Sequence, residues 1–144
     1  MKNQFNYPVR LTRQNEGGYL VRFYDLPEAI TQGEDIHDAL IQASDCLEEA
    51  IAHRISKKLD IPAPSQRKRC KHVLLSATFA AKVALYLAMK EQKLSNTSLA
   101  NKLHCDEKEV RRLLDPHYNS KLPRIEQALL VLGKRLEVHL ISCR

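Results

Sequence analysis

The spacing of apolar residues changes from two to three-and-four near Asp35, and that change restricts the fold more than any other feature of the 144-residue chain. Before it, Phe5, Tyr7, Val9 and Leu11 alternate with other residues, and Tyr19, Val21 and Phe23 do so again after Asn15-Glu16-Gly17-Gly18. Period two on both sides of a Gly-rich turn predicts a β-hairpin. Pro8 has no amide hydrogen, which favours an edge strand or a strand start for the first arm. A short third strand is expected from Ile30 to Gly33. After Asp35, residues Ile36, Ala39, Leu40, Ala43, Leu47, Ala50, Ile51 and Ile55 line one face of a helix ending near Lys58. Glu34, Asp35 and Asp38 at its start and Lys57 and Lys58 at its end suit the helix dipole. A sheet covered on one face by one helix defines an α+β first module.

The stretch from Asp60 to Arg69 holds two prolines, no apolar period and a basic cluster, and reads as a surface connection. Val73 and Leu75 then alternate and predict one more strand for the first module. A helix capped by Ser76 or Thr78 and reaching about Lys93 follows, with Phe79, Ala80, Val83, Ala84, Leu87 and Ala88 inward. The modules are therefore 1–76 and 77–144.

In the second module, SLANKLHCDEKEVRRLL has the apolar spacing of a helix-turn-helix. Leu99, Ala100 and Leu103 precede the turn, and Val110, Leu113 and Leu114 follow it. His104 occupies the turn position that usually takes Gly, and His visits the left-handed region more than most residues do. Asp106 is placed to cap the second helix. That helix turns Glu107, Lys108, Arg111 and Arg112 outward. Arginine can bond guanine with two hydrogen bonds, Lys serves phosphates, and Glu can accept from cytosine or hold an Arg. A further helix opens at Leu122-Pro123 and ends before Gly133. Lys121 and Arg124 at its start can reach a phosphate. Leu136, Val138 and Leu140 alternate afterwards, which predicts a C-terminal strand that pairs across a homodimer.

Charge is divided unevenly. Residues 1–65 hold seven Lys and Arg against ten Asp and Glu, a net −3, and residues 66–144 hold sixteen against seven, a net +9. One end suits a basic partner and the other a polyanion. Cys46, Cys70, Cys105 and Cys143 form no CxxC pair, and the polar, aromatic start is unlike a secretory signal, so reduced thiols and a cytoplasmic location are expected. No apolar run is long enough to cross a membrane. The six histidines lack ligand spacing, no carboxylate falls within the two hairpin strands, and GxSxG is missing. No metal, cofactor or catalytic residue is expected, and the chain reads as a non-enzyme.

The ordered set Gly17-Gly18-Tyr19, Val21, Phe23, Asp25-Leu26-Pro27-Glu28-Ala29, Thr31-Gln32-Gly33-Glu34 and Ala39-Leu40 resembles the HicB antitoxin family of bacterial toxin-antitoxin systems. The Xre-like helix-turn-helix, Asp115-Pro116 and Leu132-Gly133-Lys134-Arg135-Leu136 continue the resemblance over nearly the whole chain. It implies a partial ribonuclease-H-like fold in the first module, acting as a lid on a small basic HicA-type ribonuclease toxin and blocking its catalytic histidine. It further implies that the second module binds the operator of the shared operon. The net −3 of the front agrees, and Tyr19, Asp25, Glu28 and Glu34 are the expected toxin-contact residues, with Pro27 and Gly33 shaping turns.

The expectation is thus an antitoxin and autorepressor forming a homodimer, with a tetramer left open. Two other classes stand beside it: an Xre-type regulator whose front module senses a small ligand, and a residual nuclease with a DNA-targeting tail.

Overall fold

In the computed structural model, which describes residues 5–142, β1 (Asn6–Arg13) and β2 (Tyr19–Phe23) form the expected hairpin. Gly17 and Gly18 both take positive φ at its turn. A side chain at Gly18 would also press on the Gly33 carbonyl oxygen, 2.7 Å from where its Cβ would lie. β3 (Ile30–Gly33) pairs with β2, and β4 (Lys71–Leu74) pairs with β1, giving an antiparallel sheet in the order β3-β2-β1-β4.

Pro8 therefore lies in an interior strand, not on an edge. The β1–β2 register starts at Val9↔Phe23, and beyond it Tyr24 N still donates to Pro8 O at 3.4 Å. No return bond can form from the proline, so that ladder stops there while β4 takes over on the other side.

α1 (Ile36–Ser56) lays Ala39, Ala43, Leu47 and Ile51 on the sheet against Tyr7, Val9, Val21, Phe23 and Val73, all buried. Each Val, Leu, Ile or Phe side chain removed from water stabilises the fold by about 1.5–3 kcal/mol, and each Ala by less. Asp35 caps the helix by accepting from Asp38 N at 2.7 Å. Ile36, expected inward, is exposed because it precedes the first full turn on the sheet. At Gly33 an added Cβ would collide with the Ala39 backbone. Glycine there lets β3 and the first turn of α1 touch.

The chain divides into two units, one ending at Ser76 and the other starting at Ala77. In the second, α2 (Ala77–Glu91), α3 (Asn96–Leu103), α4 (Glu107–Leu114) and α5 (Leu122–Val131) enclose Leu85, Leu99, Leu103, Val110, Leu113, Ile125 and Leu129. α2 is buried more completely than its expected stripe implied. Ala81, Lys82, Leu85, Tyr86 and Met89 are buried, whereas Ala80, Ala84 and Leu87 are only half-buried. Both α4 and α5 pack against this helix, so a single-face pattern does not describe it.

Residues 134–142 take no regular secondary structure, so the expected C-terminal strand is not formed within the chain. The described residues of the second unit offer no strand edge for it to join. Val138, Leu140 and Ile141 are left exposed.

Candidate functional site

Two neighbouring eight-residue helices are a weak fold in isolation, and local caps hold them here. Ser95 Oγ accepts from Ser98 N at 3.1 Å at the start of α3, and Asp106 Oδ1 accepts from Glu109 N at 2.9 Å at the start of α4. Between them His104 sits at φ 54 and ψ 44, the left-handed turn expected of it. The α3–α4 pair then rests on α2 and α5 through Leu99, Leu103, Val110 and Leu113.

This packing leaves Glu107, Lys108, Arg111 and Arg112 on one solvent-facing side of α4. Arg111 Nε stands 3.6 Å from Glu107 Oε1 one turn away, and the Arg112 guanidinium lies 5.5 Å from the centre of the Tyr118 ring. Lys121, also exposed, occupies the N-cap of α5. Arg124 is more restrained: its Nε donates to Glu109 Oε1 at 2.6 Å and its Nη1 to Gln127 Oε1 at 2.7 Å. That hydrogen bond raises the Arg124 pKa and lowers that of Glu109. Arg124 thus ties α5 to α4, while Lys108, Arg111, Arg112 and Lys121 stand exposed.

Beneath this surface lies a residue the periodicity did not single out. Lys82 is completely buried, and its Nζ lies 2.9 Å from Arg112 O, 2.7 Å from Asp115 O, 2.7 Å from Tyr118 O and 2.9 Å from Ser120 Oγ. Burial lowers its pKa, and the nearby Asp115 carboxylate acts in the opposite direction. One charge inside the run FAAKVALYLAM was the available signal, since a lysine amid apolar positions must find oxygen partners.

In the first unit the four expected contact residues have different surroundings. Asp25 Oδ2 accepts from Ser65 N at 2.9 Å and from Ser65 Oγ at 3.2 Å. Glu28 is held by Arg54. Those two brace the returning chain, as does Tyr7, whose hydroxyl donates to Pro62 O at 2.7 Å and whose pKa burial pushes up to about 12. Tyr19 is half-buried opposite Gly33. Glu34 is exposed and lines a shallow groove with Glu16, Gly18, Gln32, Asp38 and Gln42. Negative charge is therefore concentrated where the hairpin turn meets the start of α1. The open face of the sheet carries the opposite sign, with Arg10 directly across from Arg22 and both exposed.

The family described as HicB_like antitoxin of bacterial toxin-antitoxin system matches residues 6–84, which include the whole sheet and α1. The chain belongs to the HicB-like antitoxin family. Its relatives extend the match through the second unit. Antitoxin HicB of Escherichia coli (strain K12) is 34% identical over 136 residues, 94% of this chain and 99% of the relative. Antitoxin HicB 2 of Photorhabdus laumondii is 35% identical over 138 residues, covering 96% and 98%. Antitoxin HicB of Pseudomonas fluorescens (strain Pf0-1) is 28% identical over 134 residues, covering 92% and 91%.

A HicB-like antitoxin is not an enzyme, and the relatives are named accordingly. No helix among its described residues is long and apolar enough to cross a membrane. Cys46, Cys70 and Cys105 are free thiols, and Cys143 lies outside the described residues. Burial raises the pKa of Cys46 and of Cys105, which keeps both protonated and weakly nucleophilic at neutral pH.

Proposed function

We propose that this HicB-family chain neutralises a HicA-type mRNA-cleaving ribonuclease toxin with its first unit and represses its own operon with its second. The observation that carries the reading is the likeness to named antitoxins across both units, at about a third of positions for the first two relatives. The same likeness supports it over a ligand-sensing regulator.

In this reading the first unit is a partial ribonuclease-H-like lid. Its contact with the toxin centres on the acidic groove of Glu34, Glu16 and Asp38, with Tyr19 paired to Gly33 at its edge. Asp25 and Glu28, beyond the opposite end of β2, are further candidates for the contact. A cluster of carboxylates steers a basic partner and sets its orientation more than it adds affinity. The second unit works as a helix-turn-helix. α4 enters the major groove, Arg111 and Arg112 read base edges or anchor beside them, Lys108 and Lys121 hold phosphates, and Glu107 restrains Arg111. Arg124 fixes α5 against α4. The apolar alternation of Leu136, Val138 and Leu140 pairs with a second copy, and the dimer brings two reading helices to two half-sites. The dimer acts in the cytoplasm, where a toxin that cleaves mRNA must be met.

Co-expression with the adjacent gene, followed by pull-down and a gel-shift on the upstream duplex, tests the reading. The expected result is a stable complex with the neighbour's product and a specific shift at low salt. A folded sample that captures neither overturns it.

A further inference from the structure

The carbonyls at the end of α4 lack the amide four residues on that a continuing helix would supply; from the backbone, Arg112 O accepts only a 3.3 Å bond from Asp115 N, and Asp115 O one of 3.1 Å from Tyr118 N. A buried cation from another helix meets the same oxygens. The three N–H groups of the Lys82 ammonium face four oxygens within 2.9 Å: the carbonyls of Arg112 and Asp115 at the end of α4, and the Tyr118 carbonyl and Ser120 hydroxyl in the loop to α5. Ser120 Oγ lies 3.5 Å from Arg112 O, joining the same cluster. A positive charge at a helix C-terminus is favoured by the dipole, and hydrogen bonds from an ion are shorter and stronger than neutral ones.

We propose that Lys82 is a positioning residue for DNA recognition, setting the angle at which α4 presents Lys108 and Arg111 and the place at which the following loop delivers Lys121. This rests on the operator-binding reading above. The four partners decide in favour of positioning. A lysine neutralised by one carboxylate would settle its charge at one point, whereas these oxygens belong to three successive parts of the binding surface. Lys82 thereby joins α2 to the end of α4 and to the approach to α5. It touches no DNA itself, since it is fully buried.

A residue that only stabilised the unit would, when replaced, lower binding to every duplex by the same folded fraction. A positioning residue changes the preference between duplexes, because phosphate contacts tolerate small shifts and base-edge hydrogen bonds do not. The experiment compares the full chain with Lys82→Met and Lys82→Gln on a duplex from upstream of its own gene and on a scrambled duplex of equal length. Salt is fixed, and circular dichroism monitors folding. The wild type should prefer the upstream duplex. Lys82→Met should lose about tenfold of that preference, the scale of one misplaced base contact, with scrambled-duplex binding nearly unchanged. Lys82→Gln, which still donates N–H groups, should recover part. An unchanged preference in folded Lys82→Met overturns the positioning role and leaves the operator reading standing. No preference in the wild type overturns both. If neither variant folds, Lys82 is a stability residue and the proposal fails.

Discussion

Arg54 Nε donates to Glu28 Oε2 at 2.7 Å and its Nη2 to Glu28 Oε1 at 3.0 Å, joining α1 to the turn after β2 through a two-pronged ion pair. Its remaining Nη1 donates to Asp60 O at 2.8 Å. One guanidinium therefore holds both the turn that precedes β3 and the chain that leaves α1.

The pair predicts acid sensitivity. The Arg54 hydrogen bond holds Glu28 below the usual carboxylate pKa, against a smaller upward push from burial. A depressed carboxylate contributes its stability in full above the ordinary value and loses it as pH falls through the lowered one. The Glu28 side chain is 42% exposed, so solvent screening limits the pair to about 0.2–1 kcal/mol. Chemical denaturation of Glu28→Gln at neutral pH should show that loss, and the difference from wild type should shrink below pH 4. A constant difference across the range would remove the ion pair as its cause.

Gly33→Ala should destabilise the first unit by about 1–3 kcal/mol, the range for forcing atoms into a packed site. The added methyl meets the Ala39 backbone, which a side-chain rotation cannot move aside. A melting curve that matches the wild type would show that β3 and α1 separate easily.

Leu99→Ala removes a fully buried side chain from the centre of the helical unit, at a cost of about 2–5 kcal/mol. The loss should appear in thermal unfolding of that unit. Insensitivity would mean that α3 contributes little to its core.

Arg111→Ala should cost about 1–3 kcal/mol of specific DNA binding while toxin neutralisation survives. Lys121→Ala should lower the log-log salt slope by about one unit and weaken all duplexes alike. Gel-shifts at several salt concentrations separate the two. Equal effects from both variants would contradict the assignment of base and phosphate roles.

Glu34→Lys reverses one charge of the acidic groove without touching an internal ion pair. Association with the toxin should slow, and the effect should fade as salt rises, because steering between exposed charges is screened over about 10 Å at 0.1 M. A salt-independent change would place the contact elsewhere.

Periodicity and turn chemistry were sufficient for the hairpin, the helix capped by Asp35, the left-handed His104 and the Asp106 cap, because each depends on neighbours within a few residues. Exposure of Glu107, Lys108, Arg111 and Arg112 was legible for the same reason: packing one side of a short helix decides which residues face water. Other features depended on residues far apart in the chain. Pro8 became interior only when β4 arrived from more than sixty positions away. Glu28 and Asp25 gained their partners from far along the chain, Arg54 for the first and Ser65 for the second. Arg124 was drawn to Glu109, and Lys82 found its oxygens 30 to 38 residues downstream. Local sequence determines which conformation a segment prefers, but which charges are used up inside and which remain for a partner is decided by long-range packing.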